Sequence, residues 1–259
     1  GDYVLGVVAF WRGNFSVAEA HLERALARYR PEDAPLHITR YVQDPKGVCL
    51  SRLALTQFFR GLATQAGRTM REALRFAAEL DHPMTTGYVR AFDSLLAALD
   101  PDDYDLAASV AALEAVTSEM RIGYFETLAR LLGGWRDVLN GELAGVDAMQ
   151  AATRAWKQEQ QLHLTLGLSL LARGHLRAGD LASGRAVITD AVRRSERTGQ
   201  AYLLAELLRI EAELLAAGGE PEASNRACRR AVDVAVQQGS PWLRERALAT
   251  LARIASTDG

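Results

Sequence analysis

The sequence is poor in the residues that most often announce chemistry. It has two cysteines, Cys49 and Cys228, far apart and in no CxxC pair. That excludes a disulfide framework and a cysteine-ligated zinc site, and it fits a reducing, cytoplasmic compartment. A basic excess is also missing: 30 Lys and Arg against 32 Asp and Glu leave a formal net charge of -2. No overall field draws nucleic acid or an anionic membrane, so neither is expected as a direct partner. No apolar run approaches the roughly 20 residues needed to span a bilayer. The opening YVLGVVAFW has neither a basic flank nor a small-residue cleavage site, so it does not read as a secretion signal. His163 and His175 are twelve residues apart, which is not a same-face helical spacing, and His21, His37 and His82 fall in other segments, so no metal is expected. No GxxxxGK[ST] stretch is present to cradle phosphate, and LGLSLL around Ser169 lacks the strand and second glycine of a nucleophile elbow. No catalytic residue and no cofactor are expected. Alternating apolar and polar runs bounded by turns are missing too, which argues against strands.

What remains is helical. Hydrophobic residues make up 49% of the chain, enough for a large core. In AYLLAELLRIEAELLAAGG, Leu204, Leu208, Ala212 and Leu215 form one stripe, and Glu206, Arg209 and Glu213 share another face. Gly218 and Gly219 break that helix, Pro221 suits the first turn of the next, and Ala223, Ala227, Ala231 and Val234 define its stripe as far as Gly239. The unit is helix, tight turn, helix. It recurs, with Ala25, Ala73, a position near Leu113, Ala152, Ala191 and Ala231 marking the middle of successive second helices. Turn residues Gly13, Gly61, Asn140, Gly179 and Gly219 lie twelve residues before most of these marks, and Gly199 and Gly239 end the last two helices. The first interval is 48 residues, and the later ones are close to 40, a period that means a helical solenoid. The chain also starts inside an apolar helical pattern without an initiator Met, and reads as a fragment of something larger.

The stretch YVQDPKGVCLSRLAL, residues 41–55, brings an acid (Asp44), a thiol (Cys49) and a hydroxyl (Ser51) together in sequence. Asp44-Pro45 starts a helix rather than a nucleophile loop, and residues 30–45 read as an enlarged loop between repeats. Cys49 is expected as a buried free thiol. FSVAE reads as a capping box, with Ser16 accepting from the backbone of Glu19 and the Glu19 side chain reaching back. Arg193, Arg194, Arg229 and Arg230 fall on second helices and read as a solvated outer face. Trp156 and Trp242 are expected to fill gaps between pairs, and Trp11 to sit by the turn at Gly13.

Small residues at the eighth position of each first helix (Gly6, Ala54, Gly133, Ala172, Ala212), followed by a turn glycine and a second small residue, resemble the tetratricopeptide repeat. The segments GVVAFWRGNFSVAEAHLERALARY, RYVQDPKGVCLSRLAL and REALRFAAELDHP look like the tetratricopeptide region of bacterial multidomain signal-transduction ATPases. Those are fused to nucleotide-cyclase, LuxR-type DNA-binding or protein-kinase domains. The resemblance implies an all-α fold, a right-handed superhelical solenoid of antiparallel helix pairs. The repeats would cover about 1–33, 46–81, 84–122, 123–160, 161–199 and 200–239, with a terminal helix at 241–255.

The resemblance further implies a non-catalytic sensor or scaffold in transcription regulation. It would bind a protein, a peptide or a small inducer and couple that event to effector domains of the same polypeptide. The alternative is a spacer or a homo-oligomerising module. Groove positions carried over repeat by repeat are Tyr3, Val7, Phe10, Ser51, Leu55, Phe58, Tyr88, Ala91, Thr127, Arg130, Asp137, Ser169, Arg173, Glu206, Arg209 and Glu213. The same aromatics could instead pack between repeats, and Arg209 could pair with Glu206 or Glu213 one turn away.

Overall fold

Proline or a tight glycine turn sets most helix boundaries in this protein. Pro45, Pro83, Pro221 and Pro241 each open a helix at the position where a missing N–H costs nothing. Gly13, Gly61, Gly141, Gly179 and Gly219 adopt left-handed φ values of 75, 74, 91, 76 and 76° between the helices of successive pairs. Asn140, the expected turn residue of the third, lies in that turn, and Gly141 after it takes the left-handed φ, which glycine adopts without steric cost.

The computed structural model describes residues 1–120, 122–159 and 163–257. Among these residues the fold is all-α, with no strand and fourteen α-helices. They are α1 (Asp2–Trp11), α2 (Phe15–Ala27), α3 (Ala34–Tyr41), α4 (Pro45–Phe59), α5 (Ala63–Leu80), α6 (Pro83–Leu99) and α7 (Leu106–Met120). Then follow α8 (Gly123–Leu139), α9 (Gly145–Gln158), α10 (Leu164–Arg177), α11 (Leu181–Thr198), α12 (Leu204–Ala217), α13 (Pro221–Gln237) and α14 (Pro241–Thr257). The expected boundary at 160–161 lies outside the described residues. No helix among them is long and apolar enough to cross a membrane.

The chain divides into two compact units, one of residues 1–10 and 14–132, the other of residues 11–13 and 133–259. In the first unit α4 packs on α2, α5 and α6, and every residue from Gly47 to Phe59 is buried. Phe15 stacks on Phe59 with ring centroids 4.8 Å apart, and Phe10 and Phe58 pack edge-on or tilted around them. In the second unit α10 and α12 are the inner helices, and α9, α11 and α13 each bury one stripe. On α13 the stripe is Ser224, Cys228, Ala231 and Ala235, the 3.6-residue period of a helix with one face covered. Within the first unit α4 contacts α6, and within the second α10 contacts α12 and α12 contacts α14, while α2, α5, α9, α11 and α13 each contact the helix that begins the next pair, in the manner of a helical solenoid.

Close approach explains the small residues. A Cβ on Gly134 would lie 2.6 Å from the Gly145 carbonyl oxygen, so α8 and α9 meet where both are glycine. The expected small residue of this helix, Gly133, is its buried neighbour.

Two expectations are corrected. The connection at 30–45 is not a loop: a 3-10 turn at Pro31–Asp33 leads into α3, which ends with Val42 in the left-handed region (φ 66°). The capping box does not form either. Asn14 is the N-cap of α2 without a side-chain bond, Ser16 is exposed, and buried Glu19 pairs with Arg60. A long-range ion partner for a buried carboxylate outcompetes the local bond to its own N-cap.

Candidate ligand-binding site

The acid, thiol and hydroxyl of residues 44–51 are all engaged structurally. Asp44 is fully buried, caps α4 by accepting from the Lys46 N–H at 2.8 Å, and accepts from the Tyr29 hydroxyl at 2.9 Å. Its own N–H donates to Thr85 Oγ1 at 3.0 Å. Ser51, expected to face a groove, donates instead to the Gly47 carbonyl one turn back at 2.8 Å. Burial pushes the Cys49 thiol up to about 12, so it is an inert apolar side chain near neutral pH.

The other groove candidates of the first unit are also mostly packing residues. Phe10 and Phe58 are in the aromatic core, half-buried Tyr88 stacks on Phe92 at 4.6 Å, and Thr127 is buried, whereas Arg130 is exposed. Tyr3 lines a cavity of about 450 Å³ with Tyr29, His37, Tyr41 and Lys46, walled on one side by the unexpected helix α3.

In the second unit the candidates separate. Ser169 is buried and donates to the Leu166 carbonyl at 2.7 Å. Arg173, Glu206, Arg209 and Glu213 converge. Three alternate helices each present one stripe to the same open pocket of about 550 Å³: Arg173, Leu176 and Arg177 from α10, Arg209 and Glu213 from α12, and Arg246, Ala249, Thr250 and Arg253 from α14. The stripes follow from i, i+3, i+4, i+7 spacing along each helix.

Its floor is an ion-pair lattice. Arg209 grips Glu206 with two bonds of 2.8 Å, from Nε to Oε2 and from Nη2 to Oε1. Arg246 grips the same carboxylate from α14 at 3.2 and 2.9 Å. Arg209 Nη1 reaches Glu213 at 2.7 Å and Thr250 Oγ1 at 3.2 Å. Arg253 reaches Glu213 at 2.5 Å. The Glu206 and Arg209 side chains are each 5% exposed. Burial alone would raise the Glu206 carboxyl, but the guanidinium groups of Arg209 and Arg246 overcome it and hold the group well below the usual carboxylate range.

Arg173 differs from the rest. Its guanidinium lies 4.4 Å from the centroid of the Trp135 ring, and Arg177 covers the same ring at 5.9 Å. Among the described residues neither arginine has a hydrogen-bond acceptor or a carboxylate partner. Burial pushes the Arg173 guanidinium down to about 10, with Arg246 and Arg209 acting in the same direction against Glu206 and Glu213. It stays charged at neutral pH, with no carboxylate in ion-pair contact among the described residues. Trp135 is fully buried, with an indole N–H that also lacks an acceptor.

Sequence reading missed Arg177, Arg246, Thr250, Arg253 and Trp135. A signal was present: Glu206 with Arg246 and Glu213 with Arg253 are each 40 residues apart. That is one repeat, so opposite charges stand at equivalent positions of neighbouring first helices. α14 lies beyond the last expected repeat, so those positions carried no groove expectation. Arg193, Arg229 and Arg230 are exposed on second helices as read, whereas Arg194 is half-buried, and Trp156 is fully buried. Trp11 packs edge-on against the Tyr202 ring at 5.0 Å.

No family model matches the chain. It is similar to an uncharacterized protein of Rhizobium meliloti (strain 1021), with 25% identity over 251 residues that cover 95% of this chain and 24% of that protein. The chain thus spans about a quarter of the length of the curated relative it matches.

Proposed function

We propose that the chain is a non-catalytic binding module of a bacterial signalling or transcriptional regulator, built as a tetratricopeptide-like superhelix. Its arginine-lined pocket takes an anionic group of a protein, peptide or small inducer, and occupancy is passed to effector domains elsewhere in the polypeptide. The observation that carries this reading is Arg173: a guanidinium placed on an indole face at the wall of an open pocket, with no anionic partner among the described residues. Such a group is a latent half of a charge-assisted pair. The repeat spacing and the match to a much longer relative support the module reading. Each repeat touches only its neighbours, so a ligand gripping three first helices would bias their packing angles together.

The test is a thermal-shift panel of small anions on the wild type and on Arg173→Ala/Arg177→Ala. A binder at about a hundred times its Kd should stabilise the wild type by roughly 2.7 kcal/mol, a rise of roughly 5 °C or more in Tm, and leave the variant unmoved. A panel without effect on the wild type, or one that shifts both proteins equally, removes the reading.

A self-associating spacer is the second reading, favoured by Val4, Leu5 and Val8 of α1, which are 54, 52 and 42% exposed. It requires a dimer by sedimentation that Val4→Glu/Val8→Glu dissolves.

A further inference from the structure

Resting on that reading of the pocket, we propose that its occupant is a carboxylate joined to an apolar chain, with the carboxylate on Arg173 and the chain along Leu176, Ala216, Ala217 and Ile254. Five guanidinium groups face the pocket, and the carboxylates of Glu206 and Glu213 are held by Arg209, Arg246 and Arg253. Thr250 Oγ1, the remaining acceptor of the lining side chains, already accepts from Arg209 and Arg253. Arg173 therefore keeps its whole planar fork available. A carboxylate matches that fork with two parallel N–H to O bonds. The indole beneath Arg173 orients the guanidinium plane before any ligand arrives, which lowers the ordering cost of binding.

The apolar half comes from the neighbouring space. A second cavity, of about 460 Å³, shares Leu176, Glu213 and Arg253 with the first and is otherwise lined by Ala216, Ala217 and Ile254. Leu176 is three residues after Arg173 on α10, so the two side chains are neighbours on one helix face, about 5–6 Å apart at Cβ. A chain attached directly to the bound carboxylate would begin at Leu176 and continue towards Ile254. A compact polyanion would leave this wall wet and unused. A neutral chain would leave Arg173 without an acceptor, and a cationic amphiphile would meet the arginines.

Titration calorimetry of the 259-residue chain at pH 7 with decanoate, acetate, inorganic phosphate and decyltrimethylammonium, all below micelle-forming concentrations, tests this. Decanoate should bind once per chain, acetate and phosphate at least tenfold more weakly, and decyltrimethylammonium not at all. Arg173→Ala should weaken decanoate at least tenfold, about 1.4 kcal/mol, without lowering Tm. Arg173→Lys, which keeps the charge but not the fork, is the second folded variant and should fall between. Decanoate binding that survives Arg173→Ala, or that decyltrimethylammonium matches, overturns the proposal. Phosphate binding as tightly as decanoate also overturns it, while leaving the anion-binding module intact. Silence from all four probes together with a flat anion panel overturns both.

Discussion

Replacing Glu206 by Gln should destabilise the protein far more than a one-atom change suggests. The Glu206 carboxylate accepts four hydrogen bonds, two from Arg209 and two from Arg246, and both its side chain and that of Arg209 are 5% exposed. An amide offers one acceptor oxygen and presents an NH2 to a guanidinium N–H where an oxygen had been. Arg209 would keep Glu213 and Thr250 but lose the ligand on its principal fork. Breaking a buried pair from one side costs about 3–5 kcal/mol, because the remaining charge stays desolvated. For a chain of this size that is roughly 6–20 °C in Tm, read by circular dichroism at pH 7.

Glu206→Leu/Arg209→Met, which removes both buried charges, should recover most of the loss, since apolar replacement of a buried pair is often neutral. The pH dependence follows from the same geometry. Folding lowers the Glu206 value from 4.5, so the unfolded state takes up the proton first as pH falls. Its stabilisation is complete above that value and is lost progressively below it. The gap between wild type and Glu206→Gln should therefore narrow as pH drops through about 4.5. A loss under about 1 kcal/mol at pH 7, or a double variant worse than the single one, would refute the buried lattice.

Gly134→Ala should destabilise by about 1–3 kcal/mol despite alanine's better helix propensity, because its Cβ would meet the Gly145 carbonyl oxygen at 2.6 Å. Gly123→Ala, in the same helix with nothing within 4 Å, should be neutral or stabilising, and thermal melts of the pair read the sign. Asp44→Ala removes a helix cap and orphans the Tyr29 hydroxyl, so urea denaturation should show a loss of about 2 kcal/mol or more. Cys49 and Cys228 are both buried and both have thiols pushed up by burial, so neither should react with a chromogenic disulfide at pH 8 until urea is added.

The helical architecture was legible because each boundary carries its own residue signal. Proline at a first turn and glycine at a left-handed bend act within a few residues, and their recurrence revealed the spacing. The failures have different physical origins. PEDAPLHITRYV lacks a strong apolar stripe, and only Ala34 is buried in α3, so no buried face marks the helix in the sequence. Glu19 looked like a capping-box partner because Arg60 lies far away in sequence and could not be weighed. At Gly133 and Gly134 the sequence offers two adjacent small residues, and that Gly134 meets Gly145 depends on the helix crossing, which no local pattern encodes.

At the candidate site the sequence supplied the polar stripe of α12 but not its meaning. Glu206, Arg209 and Glu213 suggested a solvent-facing groove wall, yet Glu206 and Arg209 are among the most buried charged residues. Their register explains why. Opposite charges 40 residues apart meet across α12 and α14, so the lattice joins these two first helices whether or not anything binds. One turn position on α10 breaks the alternation: Arg173 stands one repeat before Glu213, which is already held by Arg209 and Arg253. A ladder that pairs every charge needs no ligand, whereas a ladder that ends on a guanidinium fixed to an indole face leaves a position for an external anion. Structural and binding roles should therefore come apart on adjacent helices, with Glu206→Gln lowering stability and Arg173→Ala lowering affinity. A variant that moved both quantities together at either position would show that the lattice and the site are one feature.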